Sequence, residues 1–126
     1  MISLETAKKL RSAGLKQEPK PGDWVYNEHN GFLFSVDSYI PLRSDIHVLA
    51  PRLDQLAEQI EQRGYILDSK QWKDYYTANL YAKMFHMKFF GSIYWGSKRF
   101  KAETRDDSLA DALLWILAKE VALNVC

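Results

Sequence analysis

An α+β fold follows from three observations on this 126-residue chain. A clean helical stripe occupies the middle of the sequence, β-rich runs lie on both sides of it, and Gly, Pro and Asn residues separate them. The expected architecture is an antiparallel sheet of two hairpins packed against three to four helices, the C-terminal one strongly apolar. The length suits one domain, and 47% hydrophobic residues with 26% charged ones argue against disorder.

Ser3 is placed to cap a first helix, in which Leu4, Ala7 and Leu10 recur on one face and after which Gly14 supplies a stop. Two prolines and a glycine make residues 16–22 a loop. Trp24-Val25-Tyr26 and Phe32-Leu33-Phe34-Ser35-Val36 flank Asn30-Gly31, which suits a turn with positive φ, so they read as a hairpin. Residues 37–45 read as irregular.

Pro51 fits the first turn of a second helix, whose stripe is Leu53, Leu56, Ala57 and Ile60. Gly64 ends it, and Tyr65-Ile66-Leu67 resumes an extended run. Asp68 and Gln71 have capping-box spacing, and Leu67 and Trp72 stand where a hydrophobic staple would. A helix through about residue 83 is therefore expected, against the β-propensity of Tyr75-Tyr76-Thr77. A second hairpin is expected from Phe89 to Trp95 and from Lys98 to Ala102, turning on Gly96-Ser97.

Thr104 with Asp107, and Ser108 with Asp111, mark the start of a last helix from about Leu109 to Leu123. It is apolar on nearly every face, which suggests that part of it meets another subunit in a homo-oligomer. The lone cysteine, Cys126, builds no disulfide framework, and no signal peptide or bilayer-length apolar run is present. A cytoplasmic protein, with no membrane partner, is the expectation.

Motifs for chemistry are scarce. Gly91 to Lys98 has two glycines in phosphate-loop positions, but Ser97-Lys98 stands in reverse order and a strand follows. His29, His47 and His86 are scattered and share no metal-ligand spacing, so neither metal nor cofactor is expected. No nucleophile elbow occurs, and Asp106-Asp107 suits a helix N-terminus better than a paired-carboxylate cleft. No catalytic residue is nominated, and a non-enzymatic role is expected.

The formal charge of +1 argues against a protein that coats duplex nucleic acid. That total hides a cancellation. Residues 75–102, a run of 28, contain no acid, carry +5 and hold nine of the aromatics. Cations interleaved with π-faces suit a ligand that is anionic and planar, such as a nucleotide. The bland alternative is an aromatic core with a lysine rim. The candidate ligand-binding residues are Tyr94, Trp95, Lys98, Arg99 and Lys101. On the hairpin reading Lys98 and Phe100 share one face while Arg99 and Lys101 share the other.

Leu4-Glu5-Thr6-Ala7-Lys8-Lys9-Leu10, with Gly14, Leu15 and Gln17 after it, resembles the start of small proteins encoded by phages and prophages of Gram-positive bacteria. Ala50-Pro51-x-Leu53-x2-Leu56 and Ser108-Leu109-Ala110-Asp111-Ala112-Leu113-Leu114-Trp115 resemble the middle and end of the same proteins. The resemblance covers about a third of the chain and implies a compact α+β protein with a phage accessory role. It carries no catalytic residue. Together these readings predict a host-defence antagonist that sequesters a nucleotide second messenger. The alternative is a protein–protein inhibitor that occludes a host nuclease or another host defence protein.

Overall fold

The computed structural model describes the backbone of residues 1–36, 46–87 and 91–125, and the side chains of 1–36, 46–81 and 98–122. The fold is α+β. It contains two three-stranded antiparallel sheets and three helices among the described residues, where a single sheet of two hairpins was expected.

Helix α1 (Leu4–Ser12) begins where Ser3 Oγ accepts the Thr6 N–H at 3.2 Å. It ends in a Schellman motif. The Leu15 N–H returns to the Leu10 carbonyl and the Gly14 N–H to the Arg11 carbonyl, with Gly14 at φ 105°. Leu10 and Leu15 both enter the core, so the motif fixes the exit direction of the chain.

The first sheet has the order β2–β1–β3, formed by β1 (Trp24–Asn27), β2 (Leu33–Ser35) and β3 (His47–Ala50). The β1–β2 hairpin turns as expected at Asn30-Gly31. Asn27 accepts the Gly31 N–H on its carbonyl and the His29 N–H on its side chain. His47 pairs with Asn27 in β3 and meets the Phe34 ring edge-on. On the outer edge of β3, the Leu49 N–H donates to Gln17 Oε1 at 2.9 Å while Gln17 Nε2 donates to the Leu15 carbonyl.

Helix α2 (Leu53–Gln62) starts two residues after Pro51, which was expected within its first turn, and has Arg52 as its cap. The Arg52 N–H donates to Gln55 Oε1.

The second sheet has the order β4–β5–β6 and overturns two sequence expectations. Strands β4 (Tyr65–Gln71) and β5 (Tyr76–Met87) form a long hairpin where a helix was expected over residues 68–83. Pairing of seven successive residues, from Tyr65 with Ala82 to Gln71 with Tyr76, outweighs the local capping signals of Asp68 and Gln71. Strand β6 (Gly91–Ala102) runs straight through Gly96-Ser97, where a hairpin turn was expected. Leu80 pairs with Lys98 and Ala82 with Trp95, so Gly96 and Ser97 together oppose Tyr81 as a β-bulge.

Helix α3 (Arg105–Val125) is capped by Thr104, whose Oγ1 accepts the Asp107 N–H at 3.1 Å. Its strongly apolar character is not confirmed. Leu109, Ala112, Leu113, Ile116 and Leu117 are buried, while Asp111, Ala118 and Lys119 are exposed. The buried face packs on β5 and β6 and is flanked by α1 and α2. Trp115 sits between Tyr65 and Phe100, and Arg63, the C-cap of α2, reaches Glu120 of α3 at 3.0 Å. No helix among the described residues is long and apolar enough to cross a membrane.

Candidate functional site

Because Ala78 and Leu80 belong to the core, alternation along β5 sends Thr77, Asn79 and Tyr81 to the face away from α3. Cross-strand register then assembles that outer face in rows. Lys70, Thr77 and Lys101 form one row; Asp68, Asn79 and Arg99 form the next; Ile66 and Tyr81 follow. At the open end the chain reverses through Lys73-Asp74, with the Trp72 N–H donating to the Tyr75 carbonyl at 2.8 Å. Trp72 and Tyr75 thus stand opposite each other on the same outer face.

Their rings are stacked, with centroids 6.0 Å apart and planes 17° apart. The Trp72 indole N–H donates to Thr77 Oγ1 at 2.9 Å, which fixes the ring. Trp72 stays 42% exposed while Thr77 beneath it is 1% exposed. Lys101 places its ammonium 4.2 Å from the centre of the Tyr75 ring. One row further in, Arg99 Nε donates to Asn79 Oδ1 at 3.2 Å, and Asn79 Nδ2 donates to the Asp68 carbonyl. Lys70 stands 3.7 Å from Asp68 and offsets its charge. The result is an aromatic pair, Trp72 exposed and Tyr75 half-buried, with two positioned cations beside it.

The five sequence candidates are thereby separated. Arg99 and Lys101 share the outer face, as alternation predicted. Lys98 pairs with Leu80 and so belongs, with Phe100, to the register that faces α3. The side chains of Tyr94 and Trp95 lie outside the described residues; their backbones pair with Lys83 and Ala82. Trp72 and Tyr75 were missed because residues 68–83 were read as helical. The β-propensity of Tyr75-Tyr76-Thr77 was the signal that could have found them.

No protein-family model, curated protein or solved structure matches the chain.

Among the described residues no group of three His, Cys, Asp or Glu side chains could hold a metal ion. His29 is exposed at the tip of the first hairpin, and the side chain of His86 lies outside the described residues. A cleft of about 240 Å³ opens between the 16–23 loop and α2, lined by residues that include Lys16, Glu18, Lys20, Asp23 and Glu58. It is smaller than usual ligand pockets and mixes both charge signs. Asp23 is already engaged there, accepting Gln55 Nε2 at 2.7 Å and the Lys20 N–H at 2.8 Å. The sheet face is the stronger site.

Proposed function

We propose that this chain is a non-enzymatic binding protein for a nucleotide-type ligand, held on the outer face of the β4–β5–β6 sheet. The observation that supports it is the exposed Trp72 ring stacked with Tyr75, with Lys101 over the Tyr75 ring. A base stacks on an aromatic face in a sequence-tolerant way, and an adjacent cation answers the phosphate charge. The anchoring of Trp72 by Thr77 lowers the entropy lost on binding, because one ring orientation is already selected. The resemblance of three helical segments to phage-encoded proteins supports a setting in which the ligand is a host nucleotide signal and binding sequesters it. Calorimetry with linear and cyclic nucleotides tests the reading. Heat that disappears in Trp72→Ala and Lys101→Ala is expected, and silence from every nucleotide would overturn it.

A second reading is a protein–protein inhibitor. Its support is that Ile66, 45% exposed, lies on the same outer face as Trp72, and exposed aromatic and aliphatic anchors suit a protein interface. Copurification of a stoichiometric host protein lost in Ile66→Asp would favour it. Homo-oligomerisation through α3 is part of both readings, and light scattering after gel filtration measures it directly.

A further inference from the structure

We infer that the ligand of this face is a single-stranded oligonucleotide laid along β5 and β6, rather than a lone nucleotide. The inference rests on the nucleotide-binding reading and names the occupant. Length is the first argument. From the row of Tyr75 to the row of Tyr81 is six residues of β5, roughly 20 Å at the usual strand rise. Aromatic rings stand at both ends of that track, Trp72 and Tyr75 at one and Tyr81 at the other.

Cation spacing is the second. Lys101 and Arg99 are separated by one residue on β6, so they face the same way about 7 Å apart. Each is held from a different row: Lys101 over the Tyr75 ring, Arg99 by the Asn79 amide oxygen. The Asn79 bond uses only Nε of Arg99, so four of its five N–H donors take no part in that contact. Two positioned cations suit two phosphates of a continuous chain, whereas a nucleoside monophosphate offers one.

Charge magnitude is the third. Asp68 is offset by Lys70, leaving a mild positive track that is far short of a duplex-coating surface. Single strands need less charge, because stacking contributes much of the affinity.

Fluorescence anisotropy with labelled twelve-residue oligo(dT) and oligo(U), and competition by dTMP and UMP, tests this on the intact chain. Both oligomers are expected to bind, with the monomers at least tenfold weaker. The slope of log affinity against log salt is expected near −1.4 for two phosphate contacts, and Lys101→Ala should reduce it by about 0.7. Trp72→Ala should weaken binding roughly 5- to 150-fold, and Trp72→Phe should restore much of the loss. Equal affinity for the two oligomers supports recognition through base and phosphate alone; tighter oligo(U) supports it with an added 2′-hydroxyl contact. Monomers that compete as well as the oligomers would overturn the oligonucleotide inference and leave nucleotide binding standing. Absence of binding by all four probes would overturn the oligonucleotide inference, and the nucleotide reading falls with it only if the linear and cyclic nucleotides are silent in calorimetry as well.

Discussion

The ammonium of Lys101, on β6, lies 4.2 Å from the centre of the Tyr75 ring at the β4–β5 turn. The contact ties an edge strand to a hairpin tip that its own backbone pairing does not reach. An exposed cation–π pair is worth about 0.5–1 kcal/mol. A double-mutant cycle with Lys101→Met and Tyr75→Leu, read by urea unfolding, should return a coupling energy of that size, and a coupling near zero would deny the contact.

Thr77 Oγ1 is the acceptor of the Trp72 indole N–H. Thr77→Val keeps the shape and removes the acceptor, so a loss of about 1 kcal/mol is expected. The loss of fixed ring orientation should appear as a drop in near-ultraviolet circular dichroism. Unchanged near-ultraviolet ellipticity would contradict this role.

Glu28 receives both terminal nitrogens of Arg11 at 3.1 Å and has Lys8 at 3.7 Å. The Arg11 hydrogen bonds hold its carboxyl below the usual glutamate value. A depressed carboxyl stabilises the folded state above its unfolded pKa, and the gain is lost as pH falls through the folded one. Wild type and Glu28→Gln should therefore differ in Tm at pH 7 and converge in strong acid. A difference that persists below both pKa values would count against it.

Asp111 behaves in the opposite sense. The residue is exposed, yet partial desolvation of its carboxyl against the helix, with a smaller push from Asp107, raises its pKa above the ordinary aspartate value. The cost is complete above the folded pKa and absent below the unfolded one. Asp111→Asn should raise Tm at neutral pH and lose that advantage as acid protonates the wild type.

Leu113 is fully buried among the helices and the second sheet. Leu113→Ala should cost about 2–5 kcal/mol by chemical denaturation. A much smaller loss would mean that this face of α3 is not closed within one chain.

How much was legible in the sequence depended on how local the deciding contacts are. Ser3, Gly14, Gly64 and the Leu53–Ile60 stripe act within a few residues, and their helices stand as read. For the last helix Thr104 and Ser108 offered two starts and about Leu109 was expected; α3 begins at Arg105 on the Thr104 cap, and Ser108 sits inside it with its hydroxyl given to the Arg105 carbonyl. Residues 68–71 carry a plausible helix start, but their strand is chosen by cross-strand partners on β5, from Gln71 with Tyr76 to Asp68 with Asn79, in a ladder that extends to Tyr65 with Ala82. Gly96-Ser97 suits a turn or a bulge equally well, and the choice belongs to Tyr81 across the sheet. For the site, alternation alone placed Arg99 and Lys101 together and apart from Phe100. Pairing them with Trp72 and Tyr75 required the register of three strands.

The Gln17 side chain that accepts the Leu49 N–H has a meaning beyond its own bond. An unpaired strand edge is a template on which another chain can add itself. One glutamine, extended from a proline-rich loop, occupies the place on β3 that a foreign strand would need first. Gln17→Ala should therefore do more than weaken the fold: it should make self-association concentration-dependent, with β3 as its seed.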